Sequence, residues 1–153
     1  MLKFRILIFI LPFICFSQPK VELTGFESLK NKVMKTNDTL YVVNFWATWC
    51  KPCVKELPHF FEVEKKTKDQ KVSFVFVSLD FPKNQEKVNS FLLTNNASGK
   101  HVLLIEKDPN IWVEKVEKSW EGNIPATWLV KNRQTLHFVA DELSENELYQ
   151  LIK

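Results

Sequence analysis

The residues of this 153-residue chain with the most chemistry to offer are Cys50 and Cys53, separated by Lys51 and Pro52. A thiol attacks a disulfide only as its thiolate, and a free cysteine titrates near ~8.5, so a reactive pair needs a setting that favours the anion. The flanking residues supply one. Thr39 to Ala47 is rich in β-branched and aromatic residues and reads as a strand. From Lys51 to about Lys68 the apolar residues Val54, Leu57 and Phe60 or Phe61 recur at helical spacing, with Glu64, Lys65 and Lys68 on the wet face. Cys50 therefore falls just ahead of a helix, where unpaired backbone N–H groups and the helix dipole favour negative charge. Lys51 adds a cation. Both lower the expected titration point of Cys50 and make it the nucleophile. Cys53, one turn into the helix, is placed to resolve a mixed disulfide by intramolecular attack.

Stapling explains the pair less well. Two intervening residues close a loop too small to matter under the loop-entropy model, and a structural framework would use more cysteines at wider spacing. The competing uses of such a pair are half a zinc site or a haem attachment. Haem attachment needs His directly after the second cysteine, and Val54 stands there. Zinc needs two further ligands, and His59, His101 and His137 are not in ligand-like spacing. These histidines read as structural or surface residues, and neither a metal nor a cofactor is expected.

The third cysteine, Cys15, belongs to a different feature. Lys3 and Arg5 form a basic start, Ile6 to Phe16 is almost wholly apolar, and Cys15 and Ser17 are small residues ahead of a cut before Gln18. That layout is a secretory signal over residues 1–17, with a domain from 18 to 153. The run is short of the roughly 20 residues that span a bilayer, although a retained N-terminal anchor is the rival reading. Lipid attachment at Cys15 is disfavoured by Pro12-Phe13-Ile14. The expected location is the periplasm or another exported compartment. The formal charge of +3 includes Lys3 and Arg5, so the mature chain keeps about +1. That balance argues against a nucleic-acid partner, which needs a clustered basic face.

The remaining pattern must hold the cysteines in place. Thr24-Gly25-Phe26-Glu27 has capping-box spacing and predicts a helix to about Lys35. Val72 to Leu79 is a second continuous apolar strand, Lys83 to Asn95 a helix, Val102 to Ile105 a short strand and Pro109 to Lys118 a short helix. Ala126–Val130 and Leu136–Ala140 are strands joined by a hairpin at Lys131-Asn132-Arg133-Gln134. Ser144 with Glu147 caps a last helix. Pro58 interrupts the helix after the cysteines and should kink it. The order predicts an α/β layer fold with a mixed sheet flanked by helices.

The apolar strand running into Trp49-Cys50-Lys51-Pro52-Cys53, with Pro58 five residues on and Asn123-Ile124-Pro125-Ala126-Thr127 far downstream, resembles the thioredoxin superfamily, and most closely its exported TlpA/ResA-type branch. The resemblance covers nearly the whole mature chain. It implies a thioredoxin fold, with Lys83 to Ile105 as the helix-and-strand insertion of that branch, and thiol–disulfide oxidoreductase activity on Cys50 and Cys53. By itself Pro125 reads as a trans proline opening a strand. The resemblance instead implies a cis-proline loop beside the active site, whose backbone pairs with bound substrate. Ile124 before it resembles reducing members. Trp49 reads as part of the rim around Cys50, Trp46 as core, and Trp120 as packing. Glu56 matches an acid near the active site of ResA-type proteins and is a candidate for proton transfer; its residue pattern alone favours a solvated helix carboxylate, where substitution should cost within about 0.5 kcal/mol. Asn44 departs from thioredoxins proper, which carry a buried Asp there.

Two functions follow. The first is a reductase that passes two electrons to disulfides of other exported proteins, acting as a monomer and re-reduced by a membrane electron donor; cytochrome c maturation is a pathway the resemblance suggests. The second is a non-catalytic binding or metallochaperone module of the same fold.

Overall fold

Strand β2 (Leu40–Trp46) is the axis of the molecule, and its side chains are buried on both faces. Its period-two alternation sends Val42 and Trp46 to one apolar cluster and Tyr41, Val43 and Phe45 to another. A strand buried on both sides needs cover on both sides, and the rest of the chain provides it. The computed structural model describes residues 21–106 and 108–153. The expected signal, residues 1–17, lies outside the described residues.

After β1 (Glu22–Thr24) and α1 (Phe26–Val33) come β2, α2 (Lys51–Lys66) and β3 (Val72–Ser78). A 3₁₀ turn at Pro82–Asn84 leads into α3 (Gln85–Thr94), β4 (Lys100–Leu104), a second 3₁₀ turn at Pro109–Ile111 and α4 (Val113–Val116). The chain ends with β5 (Ala126–Lys131), β6 (Gln134–Val139) and α5 (Glu145–Ile152). The six strands form one mixed sheet in the order β1-β4-β3-β2-β5-β6. Pairing is parallel from β1 to β2 and antiparallel from β2 to β6. This is the thioredoxin fold. Leu57, Phe60 and Phe61 of α2, Val88 and Leu92 of α3 and Leu148 of α5 pack on one face. Phe26, Leu29 and Val33 of α1, with Trp112, Val113, Val116 and Trp120, close the other.

Local signals set several boundaries. Asn132 and Arg133 both have positive φ, which gives the two-residue turn that matches strand twist, and β6 accordingly starts at Gln134, two residues earlier than expected. Ser144 and Glu147 form the expected reciprocal cap on α5. Pro58 lies inside α2, where it withholds the N–H that Val54 would otherwise receive.

The first helix differs from expectation. Thr24 ends β1, its carbonyl accepting the Ile105 N–H, and lies one residue short of the N-cap of α1. Gly25 is the N-cap residue and contributes no side chain. Glu106 supplies the missing acceptor, taking the Phe26 N–H at 2.9 Å. Glu27 faces outward to Lys115. The helices expected over 83–95 and 109–118 are each divided, a 3₁₀ turn preceding α3 and α4.

Candidate active site

Cys50 and Cys53 are joined as a disulfide at the start of α2. Cys50 is the N-cap residue, in extended backbone, and its Sγ accepts the Cys53 N–H at 3.3 Å. Sulfur thus takes the place of the Ser or Asp oxygen that ordinarily satisfies an orphan donor of the first turn. That geometry, with the helix dipole behind it, favours negative charge on Cys50 when the disulfide opens. Cys50 retains 6% of its surface and Cys53 none, so an incoming sulfur meets Cys50 first.

Facing this pair is the loop before β5. The Ile124–Pro125 peptide bond is cis, and the Ile124 carbonyl oxygen lies 3.8 Å from Cys50 Sγ. In the oxidised form that sulfur carries no hydrogen, so the approach is a contact; a Cys50 thiol could donate there. Ile124 is half-buried and Pro125 buried. The loop is braced on both flanks. Trp120 Nε1 donates to the Asn123 carbonyl at 2.8 Å, and Asn123 Nδ2 donates to the Ala140 carbonyl at 3.0 Å. Trp120 is thus more than packing: its ring sits among Phe45, Trp112 and Phe138 while its N–H holds the segment next to Ile124.

Glu56 overturns the expectation of a solvated carboxylate. It is fully buried. Its Oε1 accepts from Asn44 Nδ2 at 2.8 Å and its Oε2 from Leu143 N–H at 2.9 Å. Burial pushes its pKa up from 4.5 to about 7; the hydrogen bonds from Leu143 and Asn44 oppose the shift, and the charges of Glu142 and Asp141 add to it. The helical spacing that puts Glu56 on the Cys53 flank also points it into the core, beneath β2. Asn44, at the position where thioredoxins proper carry an acid, bridges Glu56 to Thr127 on β5 through a longer contact of 3.4 Å. Its own Oδ1 is buried without a partner.

Trp49 is 61% exposed beside Cys50, whereas Trp46 is buried against Phe91. The loop carrying Trp49 is held by a residue that sequence reading missed. Buried Asp80, just after β3, accepts the Thr48 N–H at 2.9 Å and the Thr48 hydroxyl at 2.6 Å, and also the Ser78 hydroxyl at 2.9 Å. Of the histidines, His101 is buried in the sheet, stacked on Phe76 and donating to the Ser98 carbonyl, with its pKa lowered to about 4 by burial. Among the described residues no cluster of three or more His, Cys, Asp or Glu side chains could hold a metal ion.

Comparison with known proteins gives a consistent result. The family model described as thioredoxin-like matches residues 37–130. A thiol-disulfide oxidoreductase ResA of Bacillus cereus is 32% identical over 131 residues, covering 85% of this chain and 71% of the relative. The sporulation thiol-disulfide oxidoreductase A of Bacillus subtilis is 35% identical over 77 residues, 50% of this chain and 44% of that protein. Among solved structures, StoA from Bacillus subtilis superposes with a TM-score of 0.61 over 76% of this chain and 85% of its own, at 22% identity, a likeness of fold.

Proposed function

The chain belongs to the thioredoxin-like family, in its ResA-type branch of thiol–disulfide oxidoreductases, and from that premise we propose that it is an exported reductase of disulfides in other proteins. The observation that carries the proposal is the Cys50 sulfur at the N-cap of α2 with the Ile124 carbonyl 3.8 Å away.

In the forward reaction the Cys50 thiolate attacks one sulfur of a client disulfide. The Cys50–client bond forms, the client S–S bond breaks, and one client thiolate leaves. Cys53 then loses its proton and attacks Cys50 Sγ. The Cys50–Cys53 bond closes, the second client thiol departs, and two electrons have passed to the client. The closed pair is the oxidised end state, and a membrane-bound dithiol donor reopens it. No metal or cofactor takes part.

Each neighbouring group has a task in this scheme. Ile124 and Pro125 offer backbone to the client chain, and Trp49 forms the rim against which that chain lies. Glu56 accepts the Cys53 proton: a carboxyl with a pKa of about 7 is half ionised at neutral pH, where a general base works best. The basic, apolar and small-residue sequence of residues 1–17 supports export by a cleaved signal. Among the described residues no helix is long and apolar enough to cross a membrane. Both faces of the sheet are covered within one chain, which suits a monomer.

Trapping tests the division of labour. Cys53→Ser should accumulate mixed disulfides with exported proteins, since attack survives and resolution is lost. Cys50→Ser should accumulate few. Equal trapping by the two variants would defeat the assignment.

A further inference from the structure

The charge of this protein is unevenly placed. The formal total of about +1, left once Lys3 and Arg5 are set aside, is the sum of a basic edge and an acidic one. Strands β1, β2, β3 and β4 are parallel, so the sheet has an amino edge where they begin and a carboxyl edge where they end. Cys50 sits at the carboxyl edge, just beyond β2. Among the described residues, the connections there carry Glu106, Asp108, Glu117, Glu121, Asp141 and Glu142, against Lys51, Lys83 and Lys118. The amino edge is the reverse. Its turns and the residues flanking them hold Lys35, Lys68, Lys71, Lys100, Lys131 and Arg133, against Asp38 and Asp69.

Two open cavities lie side by side on this edge. One is lined by Lys71, Lys131 and Lys153 together with Leu136, Leu151 and Ile152. The other is lined by Lys32, Lys35 and Lys100. They meet across the start of β2, where Leu40 lines the first and Tyr41 the second. Lys71 pairs with Asp38 at 3.1 Å and Lys32 with Glu22 at 2.8 Å. The hydrogen bond from Lys71 and the charges of Lys71 and Lys131 hold the Asp38 carboxyl below its usual range. Among the described residues no carboxylate lies within ion-pair distance of Lys35, Lys68, Lys100, Lys131 or Arg133. Leu136 is 47% exposed beside these cations. Gathering unpaired like charges costs stability by mutual repulsion, so the fold itself does not require this arrangement.

We infer that the amino edge is a docking surface for an anionic phospholipid bilayer, with its lysines and Arg133 among the headgroup phosphates and Leu136 at the acyl boundary. Three observations favour a membrane over another polyanion. Cations and apolar side chains are interleaved, the combination that holds proteins at a lipid surface. The cations come from several separate turns, which suits a broad charged plane better than a single backbone groove. The amino end of β1 points to this edge, so residues 1–17, read as the export leader, join the domain from the same side. Docking here lifts Cys50 roughly 20 Å above the headgroups, the length of the seven residues of β2 at ~3.3 Å each. The redox pair then faces clients and not lipid. The inference concerns binding alone and does not rest on the reductase reading.

The test uses the oxidised chain beginning at Gln18, with vesicles of equal parts phosphatidylglycerol and phosphatidylcholine and with vesicles of phosphatidylcholine alone. The protein should sediment with the anionic vesicles only, and binding should weaken as added salt shortens the screening length below about 10 Å. Each cation near such a surface strengthens binding about fivefold, so Lys35→Gln/Lys100→Gln/Lys131→Gln should bind roughly 100-fold more weakly while melting as the parent does. Lys83→Gln/Lys118→Gln, at the opposite edge, should bind as the parent does. Absence of binding to the anionic vesicles overturns the inference, and so does equal binding to the neutral ones. A loss in Lys83→Gln/Lys118→Gln that matches the triple variant would mean undirected attraction and overturn it too. Equal affinity for a single-stranded oligonucleotide at the same phosphate concentration would make the edge a general polyanion site and overturn the assignment to a membrane.

Discussion

Replacing Glu56 by Gln should make the protein more stable at pH 8 and a slower reductase near pH 7. The carboxyl titrates at about 7 in the folded protein against an ordinary 4.5. A carboxyl whose pKa is higher folded than unfolded holds its proton more tightly in the native state. Its neutral form therefore costs nothing below pH 4.5, stability falls as pH rises from 4.5 to about 7, and the full penalty stands above that. At roughly 1.4 kcal/mol per pH unit the gap amounts to about 3 kcal/mol. Gln cannot ionise and escapes the penalty. Its amide still fits: the carbonyl can keep the Leu143 N–H, and its NH₂ can donate to Asn44 Oδ1, which has no partner now and needs only a turn of the Asn44 amide. Urea unfolding of the oxidised protein at pH 5 and pH 8 measures the effect. Part of the penalty is already present at pH 5, so the stability difference between variant and parent should grow by about 2.5 kcal/mol in favour of Gln over that interval. A constant difference would refute the account of Glu56 as a buried group ionising near neutrality. The kinetic arm is separate: if Glu56 accepts the Cys53 proton, the variant's rate of disulfide reduction near pH 7 should fall by ~10-fold or more, with the deficit shrinking as rising pH ionises the thiol unaided. Equal rates from pH 6 to 9 would remove Glu56 from the mechanism and leave it a structural residue.

Limiting iodoacetamide added to the reduced protein should label Cys50 before Cys53, as read by peptide mass, because Cys53 is wholly buried. Preferential labelling of Cys53 would reverse the roles. Asp80→Ala should destabilise the fold by roughly 2 kcal/mol or more, since it strands the Thr48 N–H in a partly buried place; a change within about 0.5 kcal/mol in thermal unfolding would show the clamp to be dispensable. Mass spectrometry of the protein recovered from its exported compartment should give a chain starting near Gln18, and a mass that still includes Lys3 and Arg5 would mean the segment is kept as an anchor.

The parts of the molecule legible in the sequence are those whose physics is local. The cysteine pair could be placed because strand, loop and helix follow one another directly, from Leu40 to Lys66. The hairpin at Asn132-Arg133 and the Ser144–Glu147 cap are likewise set by neighbours. What escaped is settled by residues far apart in the chain. The acceptor at the start of α1 is Glu106, 80 residues from Phe26, while the adjacent Thr24 that looked like a cap is committed to a three-residue strand too short to have a period. Glu56 looked solvated because a helix pattern gives no view of Leu143, 87 residues on, or of Asn44 across the sheet. The absence of an acid at position 44 was visible, but that Asn44 holds the carboxylate of Glu56 was not. Asp80 carries no motif; its importance comes from the parallel register that brings it to Thr48.

The most direct test of the account is the reduction potential of the Cys50–Cys53 couple, measured by equilibration against glutathione and dithiothreitol buffers. A reductase of exported disulfides should lie in the reducing range, near the ~−270 mV of thioredoxin. A potential near ~−120 mV, typical of a strong oxidant, or a pair that never equilibrates with either buffer, would contradict it.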